Sequence, residues 1–459
     1  MLLVASTTSD SGKSTVTALL VRVFEGFPFK AQNMSLNSFP TRDWGEIAFA
    51  QAFQAMASGL EPRREMNAVL LKPSGGSRVE VIKYGEPLGV FSYDYYYSRV
   101  VPKVRREITL RDDMVIEGAG GIEPNFLTRD LATVEIMKRG APTVLVLNID
   151  PGGAFTSAYG AYLALPPSLR GRLKGFIINK LRGDPKFVEE GAIWLQRRTG
   201  MRYLGYLPYL DFPVTMPEDS MNVYPIGEGG VRVAVVAYPY MSNFNELWAL
   251  HSSEVKVEFV RKPKELRDAD LVVLPGAKNV FEALRWLKEM KFAEELKGKK
   301  VMAFCGGYQM LTGELLDRAG LESGSRGTKV QGLGLIPQRV EYGREKVLSI
   351  SVAESGDTTL EGYEIRRGRI RGREFYSVIT SRNGEAAEVP DGYYDGKIFA
   401  TSLHGTLFSE GGRKAFRELT GVEVRSGTMQ EEARALVDRL VKLGSQTLDL
   451  EYLRELWAS

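Results

Sequence analysis

The chain has almost no cysteine and almost no histidine: one of the first and two of the second in 459 residues. A single thiol cannot close an internal disulfide, which excludes a disulfide-stapled scaffold and suits a reducing cytoplasm. Long apolar runs are missing too. None approaches the ~20 residues that span a bilayer, so no membrane partner is expected. The first residues, "MLLVAS", run at once into a glycine-lysine motif with no basic region before them, so no signal peptide is expected. Charge of one sign is not in excess: 60 basic residues face 57 acidic ones, for a net charge of +3. That balance gives no reason to expect a nucleic-acid surface. Only "RRGRIRGRE", 366–374, is locally basic, and it reads as a solvated turn and strand edge before a site for an acidic ligand. Internal repeats and low-complexity segments are absent.

What is present is ordinary for a globular enzyme: 44% apolar and 25% charged residues, over a length that suggests two or three domains. "MLLVAS", "DMVIEGAG", "APTVLVLNID" and "LKGFIINK" read as buried strands, short, β-branched and bounded by Gly, Pro or Asp. "GKSTVTALLVRVF" and "GEIAFAQAFQAMASGL" read as helices between them. Alternation of this kind predicts an α/β fold, a mostly parallel sheet with helices on both faces. "NVYPIGEGG" interrupts the pattern, and "VRVAVVAY", "VKVEFV", "DLVVLPGAKN" and "KVMAFCGG" start a second alternation. Two α/β domains are therefore expected, over 1–226 and 231–459, the second more strand-rich beyond about residue 330. Near the end, "TMQEEARALVDRLVKLG" predicts an amphipathic helix, opened by a Thr428/Glu431 capping box and ended by Gly444.

"STTSDSGKST", 6–15, follows a strand and opens a helix, the context phosphate binding needs. Lys13 would meet the β- and γ-phosphates of ATP, Ser14 would hold Mg²⁺, and Gly12 would let the backbone approach. Thr7 stands where the strict pattern has glycine; Thr7 and Thr15 complete the loop's candidate set. Glu117 ends the strand of "VIEGAGG" and is the candidate for a second Mg²⁺ contact. Asn179 and Lys180, in "FIINKLRGD", lie at another strand end and suggest a base-contacting loop.

The lone cysteine lies in "VMAFCGGYQML". "KVMAF" reads as a strand, and "GGYQMLTGELLD" as a turn that becomes a helix. Cys305 then sits at the tight corner between them, a nucleophile-elbow arrangement. Backbone N–H groups there, Gly306 first, can stabilise an oxyanion. A nucleophilic thiol needs a base. His251, in "LWALHSSE", reads as a surface or capping residue; His404, directly after a strand in "FATSLHGTLF", is the better partner. A third group usually orients the imidazole. Thr406, two residues on, is no acid, and Glu364 and Glu410 are the candidates for it.

These residues carry a resemblance. Ala303 to Gln309 matches the G-x-C-x-G-x-Q pattern of class I glutamine amidotransferases with only the first glycine replaced. "LPGAKN", 274–279, resembles their second oxyanion loop, which implies amides near Gly276 and Ala277. The first half resembles the dethiobiotin-synthetase-like ATPases, P-loop proteins. "FKAQNMSLNS", "GEIAFAQAFQA", "EMNAVLLKP", "VIEGAG", "GFIINKLRGD", "PEDS" and "GYEI", in order along nearly the whole chain, resemble the cobyric acid synthases. Departures are Ser6-Thr7 for Gly-Thr, Ala68 for Pro, Gly121-Ile122 for Ser-Pro, and Arg366 for His.

The resemblance implies amidation of the b, d, e and g carboxylates of adenosylcobyrinic acid a,c-diamide, a corrinoid. ATP would activate each carboxylate, and ammonia would come from glutamine at Cys305. It further implies Lys30, Gln32, Asn33, Asn37, Asn67 and Lys72 as substrate or phosphate contacts, and Glu46 as a residue near Mg²⁺. Two other readings stand beside it. One is a sister amidase acting on other carboxylates or on a cell-wall lipid precursor, against which "KAQNMSLNS" argues. The other is a nucleotide-switched partitioning ATPase, which would leave the cysteine half unexplained.

Overall fold

The computed structural model describes residues 1–210, 223–251 and 254–459. The motif "PEDS" lies outside the described residues. The chain divides into two compact units, and neither is a continuous stretch. The first holds Met1–Met34, the run that starts at Ile47, and Ala433–Ser459; the second holds Ser35–Glu46 and the run that ends at Glu432. This departs from the expected division at 1–226 and 231–459 in two places: Ser35–Glu46 leaves the first half, and the C-terminal helices return to it.

In the first unit, β1 (Leu2–Ser6), β2 (Phe27–Met34), β3 (Asn67–Pro73), β4 (Arg78–Lys83), β5 (Glu86–Ser92), β6 (Met114–Glu117), β7 (Thr143–Asn148), β8 (Leu173–Leu181) and β9 (Arg202–Pro208) form one sheet. The order is β9-β8-β7-β1-β6-β2-β3-β4-β5. Seven strands are parallel, and β4 and β5 extend one edge antiparallel. β1 and β6 are buried throughout, as runs of Val, Ile and Leu in a covered parallel sheet should be. The central strand β1 has β6 on one side and β7 on the other, so the loops leaving their C-terminal ends share a crevice. Helix α1 (Lys13–Phe24) begins in it, and α2 (Phe49–Ala57) is almost wholly buried.

The helix Met429–Thr447 opens with the expected capping box: Thr428 N–H donates to Glu431 at 2.8 Å, and Glu431 N–H donates to Thr428 Oγ1 at 3.3 Å. Gly444 does not end this helix. A side chain there would meet Leu19 Cδ1 at 2.6 Å, so the glycine admits α1 rather than a turn. The last helix, Leu450–Ala458, stacks Trp457 on Phe24 at 5.2 Å. An amphipathic pattern shows that a helix has a partner, and only the fold shows which one.

In the second unit, β10 (Val231–Val236), β11 (Val255–Val260), β12 (Leu271–Leu274), β13 (Val301–Phe304), β14 (Arg339–Ser355), β15 (Thr358–Arg371), β16 (Tyr393–Tyr394) and β17 (Ile398–Thr401) are the strands that matter here. The main sheet runs β11-β10-β12-β13-β17-β16 and is parallel except for its last pair. A second sheet is built on the long antiparallel hairpin β14/β15, which accounts for the strand-rich region. "RRGRIRGRE" begins inside β15, not in a solvated turn, and its first arginine is buried. "GELLD" is also a strand, Glu314–Asp317, so the helix after Cys305 stops at Leu311.

Gly205 fixes where the C-terminal helices dock. Its φ is +96°, and a Cβ on it would lie 1.9 Å from Thr447 O. Gly205→Ala is expected to destabilise the first unit by about 1–3 kcal/mol. A thermal melt with limited proteolysis near residue 447 checks this; an unchanged melt would show that the docking tolerates displacement.

Candidate functional site

The loop after β1 is tied down by its own side chains. Lys13 Nζ donates to Ser6 Oγ at 2.8 Å, and Ser6 Oγ donates to Thr8 O at 2.7 Å. Ser6, a departure from the family pattern, thus braces the loop through the lysine. Gly12 has φ +91°, and a Cβ there would overlap Asn179 Nδ2 at 2.0 Å, so only glycine fits. Asn179 Nδ2 donates to Ser11 O at 2.8 Å and supports the loop from β8. Lys180 follows with φ +62°. The Gly121 departure is steric: a Cβ there would sit 2.2 Å from Thr7 O. Thr7 is buried and Thr15 half-buried at the start of α1.

Glu117 is the hub of this site. Its Oε1 accepts from Ser14 Oγ at 2.8 Å and from Lys30 Nζ at 2.7 Å. Its Oε2 accepts from Gln54 Nε2 at 2.6 Å and from Gln51 Nε2 at 3.4 Å. Burial pushes this carboxyl's pKa up, but the Lys30 ammonium and the hydrogen bonds outweigh it and hold the pKa below the ordinary value. Asn33 Nδ2 donates to Gln51 Oε1 at 3.1 Å. Gln51 and Gln54 were missed in the sequence, where they read only as part of a helix. Gln54 Oε1 is buried without a partner among the described residues. Ser14 Oγ and the Glu117 carboxylate, 2.8 Å apart, are hard oxygen donors of the kind Mg²⁺ takes.

The expected substrate residues divide. Lys30, Gln32 and Asn33 lie on β2, and Asn67 and Lys72 on the neighbouring β3, with Lys30 opposite Asn67. Asn67 serves the backbone: its Nδ2 donates to Lys30 O at 3.1 Å and Val69 O at 3.0 Å. Gln32 Oε1 accepts from Tyr96 O–H at 2.6 Å. Asn37 and Glu46 fall in the second unit instead. There Glu46 accepts from Ser38 Oγ at 2.7 Å and Lys346 Nζ at 2.5 Å.

Cys305 occupies the predicted corner between β13 and the helix Gly306–Leu311, with φ +46° and ψ −103°. Its N–H donates to Thr401 O at 2.8 Å, which locks it to β17. His404 lies three residues beyond that strand, close enough for Cys305 to raise the pKa of its imidazole. His404 is also bridged to Tyr363 through reciprocal backbone hydrogen bonds of 2.8 and 3.0 Å. The oxyanion loop reaches the same place. A Cβ on Gly276 would lie 2.6 Å from His404 Cε1, and one on Gly306 would lie 2.6 Å from Ala277 N. His251 hydrogen-bonds the Trp248 carbonyl at 2.8 Å and plays no part at this corner.

The acid that orients His404 is Glu246, whose Oε1 lies 3.3 Å from His404 Nδ1. Both residues are buried, and Glu246 Oε2 has no partner among the described residues. Glu364 is not the orienter: Arg366 holds its Oε1 at 2.5 and 2.9 Å, and Arg382 also binds it. Glu410 is exposed at the start of another helix. Burial alone would lower the His404 pKa; the negative charge and hydrogen bond of Cys305, with those of Glu246, override it and push it up to about 10. The arrangement places a thiol, an imidazole and an oxyanion loop at one corner, which suits acyl transfer.

The chain matches two family descriptions: the CobQ/CobB/MinD/ParA nucleotide binding domain over 2–222, and the CobB/CobQ-like glutamine amidotransferase domain over 232–412. It is similar to a cobyric acid synthase of Streptomyces coelicolor, 40% identical over 448 residues, covering 90% of this chain and 86% of the relative. It is also similar to a probable cobyric acid synthase of Thermococcus kodakarensis, 34% identical over 484 residues and covering 98% of both chains.

The raised pKa of His404 has a sign. A group whose folded pKa exceeds its ordinary ~6.5 contributes stability that is complete below that value. The contribution is lost as pH rises through about 10. The chain has only two histidines, so their ring signals can be followed by NMR across the pH range. His404 is expected to remain protonated through about pH 8, and Cys305→Ala to bring its titration down by about one unit or more. Titration near 6.5 in both proteins would overturn the raised His404 pKa.

Proposed function

The chain belongs to the cobyric acid synthase family, glutamine-hydrolysing carbon–nitrogen ligases, and from that premise we propose that it amidates the b, d, e and g carboxylates of adenosylcobyrinic acid a,c-diamide. The product is adenosylcobyric acid. The observation that carries the glutamine half of this reading is the convergence of Cys305, His404 and Glu246 at one buried corner.

There the Cys305 thiolate attacks the side-chain amide carbon of glutamine, and the Ala277 and Gly306 amides receive the developing oxyanion. His404 gives its proton to the leaving nitrogen, ammonia departs, and a glutamyl thioester remains. Water, deprotonated by His404, then releases glutamate. Glu246 keeps the imidazole in the right tautomer and orientation throughout. A single free thiol of this kind suits a reducing cytoplasm.

In the nucleotide unit a carboxylate of the corrinoid must first gain a leaving group. Transfer of the ATP γ-phosphoryl group makes an acyl phosphate; ammonia attacks it and inorganic phosphate leaves. Lys13 and the backbone amides of its loop stabilise the transferring phosphoryl group. Mg²⁺, held by Ser14 and Glu117, neutralises phosphate charge when bound. Lys30, which donates to Glu117 at 2.7 Å, would be the cation that meets the substrate carboxylate.

The variants separate the two chemistries. Cys305→Ala is expected to abolish amidation from glutamine and to keep amidation from ammonium at high pH. Glu246→Gln should lower glutamine-dependent turnover by about 100-fold or more. Glu117→Gln should remove amidation from both nitrogen sources. Product masses read out each case. A wild-type protein that adds no amide to this diamide from either source would overturn the corrinoid reading and favour a sister amidase.

A further inference from the structure

Ser35–Glu46 belongs to the second unit although both its ends join elements of the first. Within the second unit it touches the supports of the cysteine corner. Asn37 Oδ1 accepts from Asn243 N–H at 2.6 Å, and Ser38 N–H donates to Asn243 Oδ1 at 2.8 Å. This reciprocal pair holds Asn243 at φ +49°, a conformation that few non-glycine residues adopt. The two residues before Asn243 pair antiparallel with the oxyanion loop, Ser242 with Gly276 and Met241 with Ala277. Phe39 makes a second connection. Its ring packs on Tyr363 at 4.9 Å, and Tyr363 stacks on His404 at 5.2 Å and 28°. All six side chains, of Asn37, Ser38, Phe39, Asn243, Tyr363 and His404, are buried.

One short segment therefore braces the oxyanion loop with one residue and the base with another. We infer that Asn37 and Phe39 are positioning residues for glutamine hydrolysis, acting through Asn243 and Tyr363. The inference rests on the reading of Cys305 as the glutamine-cleaving nucleophile. It assigns Asn37 to nitrogen release rather than to corrinoid contact. It also means that a second half beginning at residue 231 lacks two supports of its own site.

The test uses the full chain, with Phe39→Ala, Asn37→Ala and Asn37→Asp beside wild type and Cys305→Ala. Amidation is driven by glutamine in one series and by ammonium in the other. The single thiol allows a further readout: the rate of Cys305 alkylation by iodoacetamide against pH. Phe39→Ala and Asn37→Ala are expected to lose about 10- to 100-fold in glutamine-dependent kcat/KM, the scale on which small misplacements act. Phe39→Ala should keep its ammonium-driven rate within about twofold, a check on folding as well as on role. Its alkylation profile should shift, because the imidazole is no longer held. Asn37→Asp keeps the acceptor oxygen and should recover most of the Asn37→Ala loss. Equal loss from both nitrogen sources in Asn37→Ala would place that residue in the ligation and overturn its assignment. Full glutamine-dependent activity with an unmoved alkylation profile in Phe39→Ala would overturn the other. If Cys305→Ala still hydrolyses glutamine, the underlying reading of the nucleophile fails, independently of either result.

Discussion

The second unit is organised around a backbone conformation that an L-residue resists. Cys305 at φ +46° and ψ −103° costs about 1–3 kcal/mol, and such a residue persists only where its surroundings over-determine it. Here its N–H is bound to β17 and its carbonyl accepts from Gln309 N–H at 2.9 Å. The following glycine, Gly306, has no side chain to push against Ala277. β13 and β17 lie side by side in parallel register, Phe304 opposite Thr401, so the thiol and His404 leave adjacent strand ends. The fold supplies the proximity, and the strain aims the sulfur.

Burial then decides the charges at both sites. Glu117 and Lys30 neutralise each other with almost no solvent contact, and Glu246 lies 3.3 Å from His404, both buried, beside Cys305. Buried charge survives when it is paired and hydrogen-bonded. Both sites also keep an unpartnered buried oxygen among the described residues, such as Gln54 Oε1 and Glu246 Oε2. An orphaned buried acceptor costs stability, and such exceptions concentrate where a molecule has work to do besides folding.

Local patterns made most of this legible. The strand–loop–helix around Lys13, the strand-end acid Glu117, the Cys305 corner and the choice of His404 over His251 all follow from short-range signals, because each depends on residues within one turn or one strand. Glu246 did not, since it lies 158 positions from His404 and no spacing links them. Its one available signal was an acid followed by "LWAL", an apolar surrounding that makes a paired carboxylate the expected outcome. Gly444 misled because glycine ends helices often, whereas here it admits a neighbouring helix. Asn37 and Glu46, expected from motifs of the first half, fall in the second unit, because Ser35–Glu46 packs there despite its place in the chain.

The discontinuity of the first unit reaches into how the protein is made. Its central strand β1 leaves the ribosome long before the helices that cover Leu19 and Phe24. The unit cannot close its core until translation has run through the entire amidotransferase. Domains that fold as they emerge, N-terminal first, are the usual order, and this chain reverses it for one of its two units. A gene cut at the junction between the halves would therefore yield a nucleotide-binding piece with an open flank and a glutamine-cleaving piece carrying two surplus helices, which gives the fused form a physical reason to stay fused.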